Sequence, residues 1–438
     1  MDDLLLGKPI HSTDDKFSVV STNMHIDGQD YQINYRVSRG PVSNTASAFL
    51  AAGLFPAMKF GSDLKIEGTV SPKLLLATST IQDIIKAWFP GYMSISIKTE
   101  IADCIESSEQ RGVGAFFSGG MDAFYTLLKH RDEITTLIFV HGFDIQLDKY
   151  EFRSKASRAF RGVAAGFNKV LVEVETNLAE CLEEISPSFI AAGGDAHGAV
   201  LASIALLLSP QLKKVYIPSS YPYSNLNPCG SHVLLDPLWS TEDVEIVHDG
   251  CEATRVEKAA LVAQSEIALR NLRVCLFKPE DGLNCEQCEK CLRSMATLRA
   301  VGALDRCAAF RQKLDLETLA KVEIPDEGLY KSYQSTLQTV KMNDNDPELA
   351  KALHKCIQNY KYNKLATELN AEMILFLESS TGKKILGNRR NTFLKYLWQV
   401  NPAWMIKEVF KETLKLVDRK LCGGVIYKFK NVQSNIGM

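Results

Sequence analysis

The sequence lacks any apolar run near the roughly 20 residues that a membrane span requires; its longest, residues 199–208, is about half that length. Its first residues, MDDLLLGKPIHSTDD, are acidic and lack the basic segment and apolar core of a signal peptide. A strong charge of either sign is also missing, because 50 Lys and Arg nearly balance 52 Asp and Glu. We therefore expect a soluble, cytoplasmic protein.

The cysteine pattern argues against a secreted disulfide scaffold. The chain has 11 cysteines in 438 residues, far fewer per residue than small domains that depend on disulfides. Cys285, Cys288 and Cys291 are separated by two residues each, a spacing typical of metal ligands in a reducing compartment. The pattern favours metal binding and agrees with a cytoplasmic location.

The chain divides into three predicted regions. Residues 1–107 contain a hairpin signal at Asp27-Gly28, a helical pattern and further strands, which indicate a small α+β module. Residues 108–325 alternate between strand and helix patterns. Residues 326–438 are predicted to be helical.

The middle region has the pattern of an α/β fold. The runs VGAFF, TTLIFVHGF, KVLVEVET and KKVYIPSS are largely apolar, as expected for parallel strands that are buried on both faces. Helical patterns lie between them, at residues 123–129, 149–165, 178–186 and 197–208. This alternation predicts a doubly wound parallel sheet.

The last region combines helix signals with a basic tail. Asp346-Pro347-Glu348 supplies an N-cap, a proline at the first helical position and an acid in the first turn. A second amphipathic pattern covers residues 402–421. Residues 383–430 carry 12 Lys and Arg against 3 Asp and Glu, which suits contact with nucleic acid or an anionic membrane surface. A packed helix with a solvated basic face explains the same composition.

The stretch GAFFSGGMDAFYTLLKH, residues 114–130, places Ser118, Gly119 and Gly120 between a buried strand and a helix. Glycine permits tight turns with positive φ and the close approach of a ligand. The unpaired N–H groups and the dipole at a helix N-terminus attract phosphate. The turn therefore predicts a phosphate site at the carboxyl edge of the sheet, although it matches neither the Walker nor the dinucleotide-binding pattern. A tight turn without a ligand is the alternative.

A second motif, VCLFKPEDGLNCEQCEKCLRSM, contains Cys275, Cys285, Cys288 and Cys291. Two overlapping C-x-x-C steps can direct three thiolates at one ion, and Cys275 completes the four-thiolate set that structural Zn²⁺ prefers. C-x-x-C-x-x-C also occurs in ferredoxins, but there the fourth ligand precedes proline, whereas Cys291 precedes Leu292. We expect structural zinc, with an iron–sulfur cluster or unligated cysteines as alternatives.

Together the two motifs resemble those of the PP-loop ATP pyrophosphatases, whose loop reads S-G-G-x-D-S, and in particular 7-cyano-7-deazaguanine synthase, which has the same four-cysteine pattern. The resemblance covers residues 110–305, roughly half of the chain. It implies the adenine-nucleotide α-hydrolase-like fold of that superfamily, with residues 118–120 around the phosphates, Asp122 near Mg²⁺ and pyrophosphate, and zinc on the cysteines. It also implies that a substrate oxygen attacks the α phosphorus of ATP. Ala123 departs from the motif, because the family has serine there.

Five further polar residues are candidates for the same edge of the sheet. His141 follows a strand, where it contacts nucleotide or caps the strand. Asp195 precedes an apolar helix, where it either is the N-cap of the helix or contacts substrate or ATP. His197 is a candidate general acid–base, because imidazole titrates near neutral pH. Arg255 and Lys258, three residues apart, share one helix face, which suits either an anionic ligand or solvent.

The leading hypothesis is an ATP-dependent ligase that adenylates a carboxylate or amide oxygen, so that a nitrogen nucleophile can displace AMP. Its catalytic group is Asp122, His197, Arg255 and Lys258, its cofactors are ATP, Mg²⁺ and Zn²⁺, and its substrate is a small carboxylate or a deazapurine-like molecule. The alternatives are a tRNA-thiolating enzyme whose basic tail holds RNA, and a nucleotide-binding or partner-binding protein without turnover. A protein substrate at that tail and a homo-oligomeric assembly are also expected.

Overall fold

A computed structural model describes residues 3–14, 16–103, 110–190, 194–275, 277, 279–344 and 346–378. The chain forms two compact units. The first comprises Met1–Leu319 and Pro325–Leu353, and the second comprises Ala320–Ile324 and the chain from His354 onward. The basic tail and the predicted helix at residues 402–421 lie outside the described residues.

The first unit is an α/β structure built on one mixed sheet of 11 strands. The strands are β1 (Leu4–Leu6), β2 (Ile10–Asp14), β3 (Phe17–Ile26), β4 (Gln29–Val37), β5 (Leu64–Val70), β6 (Ile97–Ile101), β7 (Gly112–Phe116), β8 (Thr136–His141), β9 (Val170–Thr176), β10 (Leu212–Pro218) and β11 (Glu245–Asp249). Their order across the sheet is β11-β10-β7-β8-β9-β4-β3-β1-β5-β6, and β2 pairs with β3 beside this path.

Twelve α-helices occur among the described residues. They are α1 (Ser47–Phe60), α2 (Pro72–Trp88), α3 (Met121–Lys129), α4 (Tyr150–Gly166), α5 (Leu178–Ile185), α6 (His197–Leu207), α7 (Arg255–Val262), α8 (Glu266–Asn271), α9 (Glu289–Ala300), α10 (Leu316–Ala320), α11 (Glu327–Asn343) and α12 (Pro347–Glu378). None of these helices is both long enough and apolar enough to cross a membrane.

The strands from β7 to β11 form the parallel half of the sheet. Numbered in chain order among themselves, they lie in the order 3-2-1-4-5, which is a common doubly wound order. The side chains of alternate residues in β8 show that helices cover both faces of the sheet. Ile138 and Val140 join a core that also contains α1 and α6, whereas Phe139 packs against Phe160 of α4 with ring centroids 4.8 Å apart.

The N-terminal strands extend this sheet. Strand β4 pairs antiparallel with β9, so the predicted α+β module and the predicted α/β region share one continuous sheet across residue 107. The hairpin between β3 and β4 turns at Asp27 and Gly28, whose φ angles are 51° and 75°, as the sequence predicted. The domain boundaries at residues 107 and 325 stay predictions.

The helix starts follow the sequence signals closely. The helix α12 begins at Pro347, and Asp346 accepts a hydrogen bond of 3.0 Å from the N–H of Leu349, as predicted for an N-cap. The four predicted parallel strands correspond to β7, β8, β9 and β10. Strand β11 was not predicted, because EIVHD is short and half polar.

Candidate functional site

The parallel half of the sheet has a switch point between β7 and β10. The chain continues from β7 to β8 and β9 on one side, and it then crosses to β10 and β11 on the other. The loops after β7 and β10 therefore diverge at the carboxyl ends of these strands, where open α/β sheets bind their ligands. Residues 118–120 follow β7, and Ser219 follows β10.

The turn after β7 can be formed only by glycine at its centre. Gly119 has a φ of +75°, and a Cβ at this position would lie 2.5 Å from an atom of the Phe160 ring. Gly120 is the N-cap of α3 and has no side chain with which to cap the helix. The turn thus combines a positive-φ glycine with a helix N-terminus that no N-cap side chain covers, which is a geometry suited to an anion.

Asp122, in the first turn of α3, binds two cations. Its Oδ1 accepts a hydrogen bond of 3.0 Å from Lys258 Nζ, and its Oδ2 accepts one of 3.0 Å from Arg255 Nη1. Burial raises the pKa of Asp122, but Lys258 and Arg255 outweigh this effect and hold the pKa at about 2. The carboxylate is therefore charged, and α7 presents both cations on one face, as the sequence predicted.

Helix α9 adds further positive charge to this cluster. Arg255 Nη2 donates to Ser294 Oγ at 3.2 Å, and Arg293, one residue earlier, pairs with Glu289 at 2.7 Å. The ammonium group of Lys290 has no hydrogen bond or ion pair with another described residue, yet its charge acts on Asp122. Helix α9 therefore supplies an unpaired cation beside the glycine turn.

Arg273 links the glycine turn to the loop after β8. Its Nη1 donates to the carbonyl of Ser118 at 3.2 Å and lies 3.5 Å from Asp144 Oδ2. The Nε atoms of Arg255 and Arg273 are buried and lack a hydrogen-bond partner among the described residues. Since buried guanidinium groups normally satisfy their donors, these two atoms indicate that the cluster is incomplete without an acceptor.

The cluster has an excess of positive charge. Its cations are Arg255, Lys258, Arg273, Lys290 and Arg293, and its carboxylates are Asp122, Asp144 and Glu289. Five cations against three acids favour a multiply charged anion at this edge of the sheet. Asp144, Arg273, Lys290 and Arg293 were not among the predicted site residues. Asp144 lies in the stretch IFVHGFD, and Lys290 and Arg293 lie in the cysteine motif, so only their positions in the fold reveal their role in the cluster.

His141 lies at the end of β8 but belongs to a different polar network. Its Nε2 is 2.9 Å from Glu173 Oε2, and its Nδ1 accepts from Arg153 Nε at 3.3 Å. Glu173 also binds Ser157 and Arg161; although burial raises its pKa, these hydrogen bonds and that of His141 hold the pKa at about 2. Both ring nitrogens of His141 are thus engaged within the fold.

The structure places Asp195 and His197 in different surroundings. Asp195 accepts a hydrogen bond of 2.8 Å from the Tyr92 hydroxyl, and Ala196, rather than Asp195, is the N-cap of α6. The His197 ring packs against Phe143, with centroids 4.7 Å apart. Burial lowers the pKa of His197, against the opposing charge of Asp144, so the imidazole is neutral at pH 7. The charges of Asp144 and Lys290 act on His197, which therefore lies near this cluster.

The four predicted cysteines form one cluster. The Sγ atoms of Cys275, Cys285, Cys288 and Cys291 lie within 4.8 Å of one another. The pairs Cys275–Cys288 and Cys285–Cys291 are each 3.9 Å apart, close to the edge of about 3.8 Å that a tetrahedron with Zn–S bonds of about 2.3 Å has. The arrangement can hold a metal ion such as zinc.

Main-chain contacts shape the cysteine cluster. The N–H groups of Cys285 and Cys288 point at the Sγ atoms of Cys275 and Cys285, both at 3.4 Å. Buried Asn284 accepts from the N–H of Val274 at 2.9 Å and donates to the carbonyl of Leu272 at 2.8 Å. The knuckle is therefore fixed to the segment that carries Arg273, and Cys291 lies in the first turn of α9.

Comparison with protein-family models, curated proteins and solved structures found no match to this chain. The geometry of the site thus provides the support for a function.

Proposed function

We propose that the chain is an ATP-dependent ligase of the PP-loop type, which adenylates a carboxylate or amide oxygen of a small molecule so that a nitrogen nucleophile can displace AMP. The observation that carries this proposal is the glycine turn at residues 118–120, which opens α3 at the switch point beside an excess of cations. These features together suit the polyphosphate tail of a nucleotide. The four-cysteine cluster, which agrees with the same resemblance, holds zinc in this proposal.

The residues of the cluster have distinct roles in this proposal. The main chain at residues 118–120 holds the β and γ phosphates, while Arg255, Lys258 and Lys290 stabilise the charge that develops as pyrophosphate leaves. A bound polyphosphate gives Arg255 and Lys258 new acceptors and frees Asp122. Mg²⁺ supplies further charge neutralisation at the phosphates, and Asp122 with Asp144 offers the oxygen ligands it prefers. Neutral His197 can accept the proton that the nitrogen nucleophile loses.

A nucleotide-binding protein without turnover is the second candidate. Two observations favour it: Ala123 supplies no hydroxyl to the phosphates, and both oxygens of Asp122 bind cations rather than facing an open site. Binding without turnover predicts ATP affinity with no release of pyrophosphate. The two candidates therefore differ in one measurement.

Lys290 is the sharpest probe of the nucleotide site, because its removal breaks no ion pair among the described residues. We expect Lys290→Met to weaken ATP·Mg²⁺ binding about tenfold or more, as measured by calorimetry on the full chain, with bound metal and thermal stability unchanged. Lys331→Met, at an exposed lysine of α11, is the matched control and should bind as the wild type does. Equal affinity in both variants contradicts the proposed site.

Turnover is tested separately by pyrophosphate release. The wild-type protein, with ATP, Mg²⁺ and a panel of small carboxylic acids, should release pyrophosphate only when an acid is present. ATP binding with no release from any acid favours the second candidate.

A further inference from the structure

Three polar side chains outside the nucleotide cluster are grouped around β11: Asp236 in the connection between β10 and β11, His248 in β11, and Cys251 just after it. Asp236 is fully buried, and its Oδ2 lies 2.7 Å from Nδ1 of His248. The Cys251 thiol donates a hydrogen bond of 3.2 Å to Ser219 Oγ, and His248 lowers the pKa of this thiol. Because Nδ1 faces Asp236, Nε2 is the nitrogen left to accept the thiol proton.

The charges in this group favour a thiolate. Burial lowers the pKa of His248, but Asp236 and Cys251 together outweigh this effect and raise the pKa to about 9. Burial also raises the pKa of Cys251, but His248, Ser219 and Lys258 together outweigh it and lower this pKa below its ordinary value. A carboxylate that orients an imidazolium beside a thiol is the arrangement that activates cysteine nucleophiles.

The thiol lies next to the proposed nucleotide site. Lys258 donates a hydrogen bond of 3.0 Å to Asp122 and another to the carbonyl of Ser219, whose hydroxyl contacts Cys251. The titratable groups that act on the thiol come from three elements: His248 on β11, Lys258 on α7 and Cys229 in the loop after β10. One lysine and one serine thus connect Cys251 to Asp122.

Cys307 shows that burial alone does not lower the pKa of a thiol in this protein. Cys251 and Cys307 are both 2% exposed. The Cys307 thiol donates to the carbonyl of Leu269 at 3.2 Å, and burial raises its pKa to about 11. The two residues are equally exposed, but Cys307 lacks the histidine, the serine hydroxyl and the lysine charge that act on Cys251, so it serves as an internal control for burial.

We propose that Cys251 is a catalytic nucleophile that receives the acyl group of an activated carboxylate as a thioester; this rests on the proposed adenylation. The thiolate attacks the carbonyl carbon of the acyl adenylate, a C–S bond forms, and the C–O bond to AMP breaks with its electron pair leaving on AMP. The nitrogen nucleophile then attacks the thioester carbon. The C–S bond breaks, its electron pair returns to sulfur, and neutral His197 accepts the proton that the nitrogen loses.

Alkylation by iodoacetamide tests the thiolate without ATP or substrate. In the full chain between pH 5.5 and 9, with peptide mass spectrometry as the readout, Cys251 should react at pH 6.5 at least tenfold faster than Cys307. His248→Gln should slow Cys251 tenfold or more and leave Cys307 unchanged, which controls for opening of the fold. A Cys251 that does not react across this range, or that reacts equally fast without His248, overturns the proposal.

The transfer step separates this inference from the proposed function. With an acid that supports pyrophosphate release, Cys251→Ser should keep the first turnover of release and lose at least 99% of amide formation. Full amide formation by Cys251→Ser overturns the thioester and leaves the adenylation intact. A fast, His248-dependent alkylation with no pyrophosphate release from any acid overturns both the ligase and the thioester.

Discussion

The main-chain N–H of Arg273 donates a hydrogen bond of 2.7 Å to the carbonyl of Gly119. This bond joins the two sequence motifs, because Gly119 lies at the centre of the glycine turn and Arg273 lies two residues before Cys275. The guanidinium of the same arginine also donates to the carbonyl of Ser118 at 3.2 Å. The segment that carries the cysteine cluster therefore supports the turn, and loss of the proposed zinc ion should weaken binding at the proposed nucleotide site.

Removal of the metal should weaken both the fold and nucleotide binding. We expect Cys285→Ser to abolish stoichiometric metal binding and to weaken ATP binding tenfold or more, which is about 1.4 kcal/mol, because α9 and Arg273 lose their anchor. Metal analysis and calorimetry measure the two effects. Cys229→Ser, at a half-buried cysteine outside the cluster, should change neither. Unchanged ATP affinity in a metal-free Cys285→Ser variant contradicts the coupling.

The two adjacent glycines should respond differently to alanine. Gly119→Ala forces a Cβ into positive φ and against Phe160, so we expect the free energy of unfolding to fall by about 2–4 kcal/mol. Gly120 has a φ of −74°, and its Cβ would meet Ser118 Oγ at 3.3 Å and the Arg273 carbonyl oxygen at 3.8 Å. Gly120→Ala should therefore keep its stability within about 0.5 kcal/mol. Urea unfolding distinguishes the two, and equal losses would mean that the turn is not strained at Gly119.

Local signals predicted the elements, whereas the site depended on tertiary contacts. The turn at residues 118–120 and the cysteine cluster were visible because glycine and cysteine spacings are short-range patterns. The contribution of Lys290 to the site could not be predicted, because nothing in the sequence CEKCLR shows that α9 approaches Asp122. Strand β11 is short, and its sequence EIVHD mixes polar and apolar residues, as is common at the edge of a sheet. It therefore lacked the continuous apolar run by which the other parallel strands were predicted. Because β11 was not predicted, the contact between His248 and Asp236 was not predicted either.

His141 provides a test between its two predicted roles. Its ring nitrogens bind Glu173 and Arg153, so we expect His141→Ala to lower the free energy of unfolding by about 2–3 kcal/mol and to leave ATP affinity within twofold of the wild type. Chemical denaturation and calorimetry measure the two. His354→Ala, at an exposed histidine, should change neither. A selective loss of ATP affinity in His141→Ala supports the nucleotide contact instead.

Asp122 should make stability depend on acid pH. Its folded pKa is lowered from 3.8 to about 2, so its contribution is fully present above about pH 4 and is lost as the pH falls through 2. The shift corresponds to about 2 kcal/mol. We therefore expect Asp122→Asn to be less stable than the wild type by about that amount at pH 7.

The test is how the difference in the free energy of unfolding between wild type and Asp122→Asn changes with pH. In urea unfolding between pH 2.5 and 7, the gap between wild type and Asp122→Asn should narrow steadily below pH 4, because the carboxylate is protonated in the unfolded chain before it is protonated in the folded protein. Asp132→Asn, at a side chain that is 98% exposed, should show no such gap. A gap that stays constant down to pH 2.5 would show that the ion pairs with Lys258 and Arg255 do not set the pKa.

Ala123 decides between a weakened ligase and a binding protein. It is the third residue of α3 and 4% exposed, and a serine there would add a hydroxyl beside the turn. A hydrogen bond to a charged phosphate contributes about 1.5–3 kcal/mol, so Ala123→Ser should raise the rate of pyrophosphate release by roughly tenfold to a hundredfold. Ala164→Ser, an equally buried substitution in α4, controls for the cost of burying a hydroxyl. The opposite result is that both variants release pyrophosphate no faster than the wild type, while ATP affinity rises in Ala123→Ser alone. In that case the serine hydroxyl contacts the bound nucleotide, and the protein binds ATP without turnover.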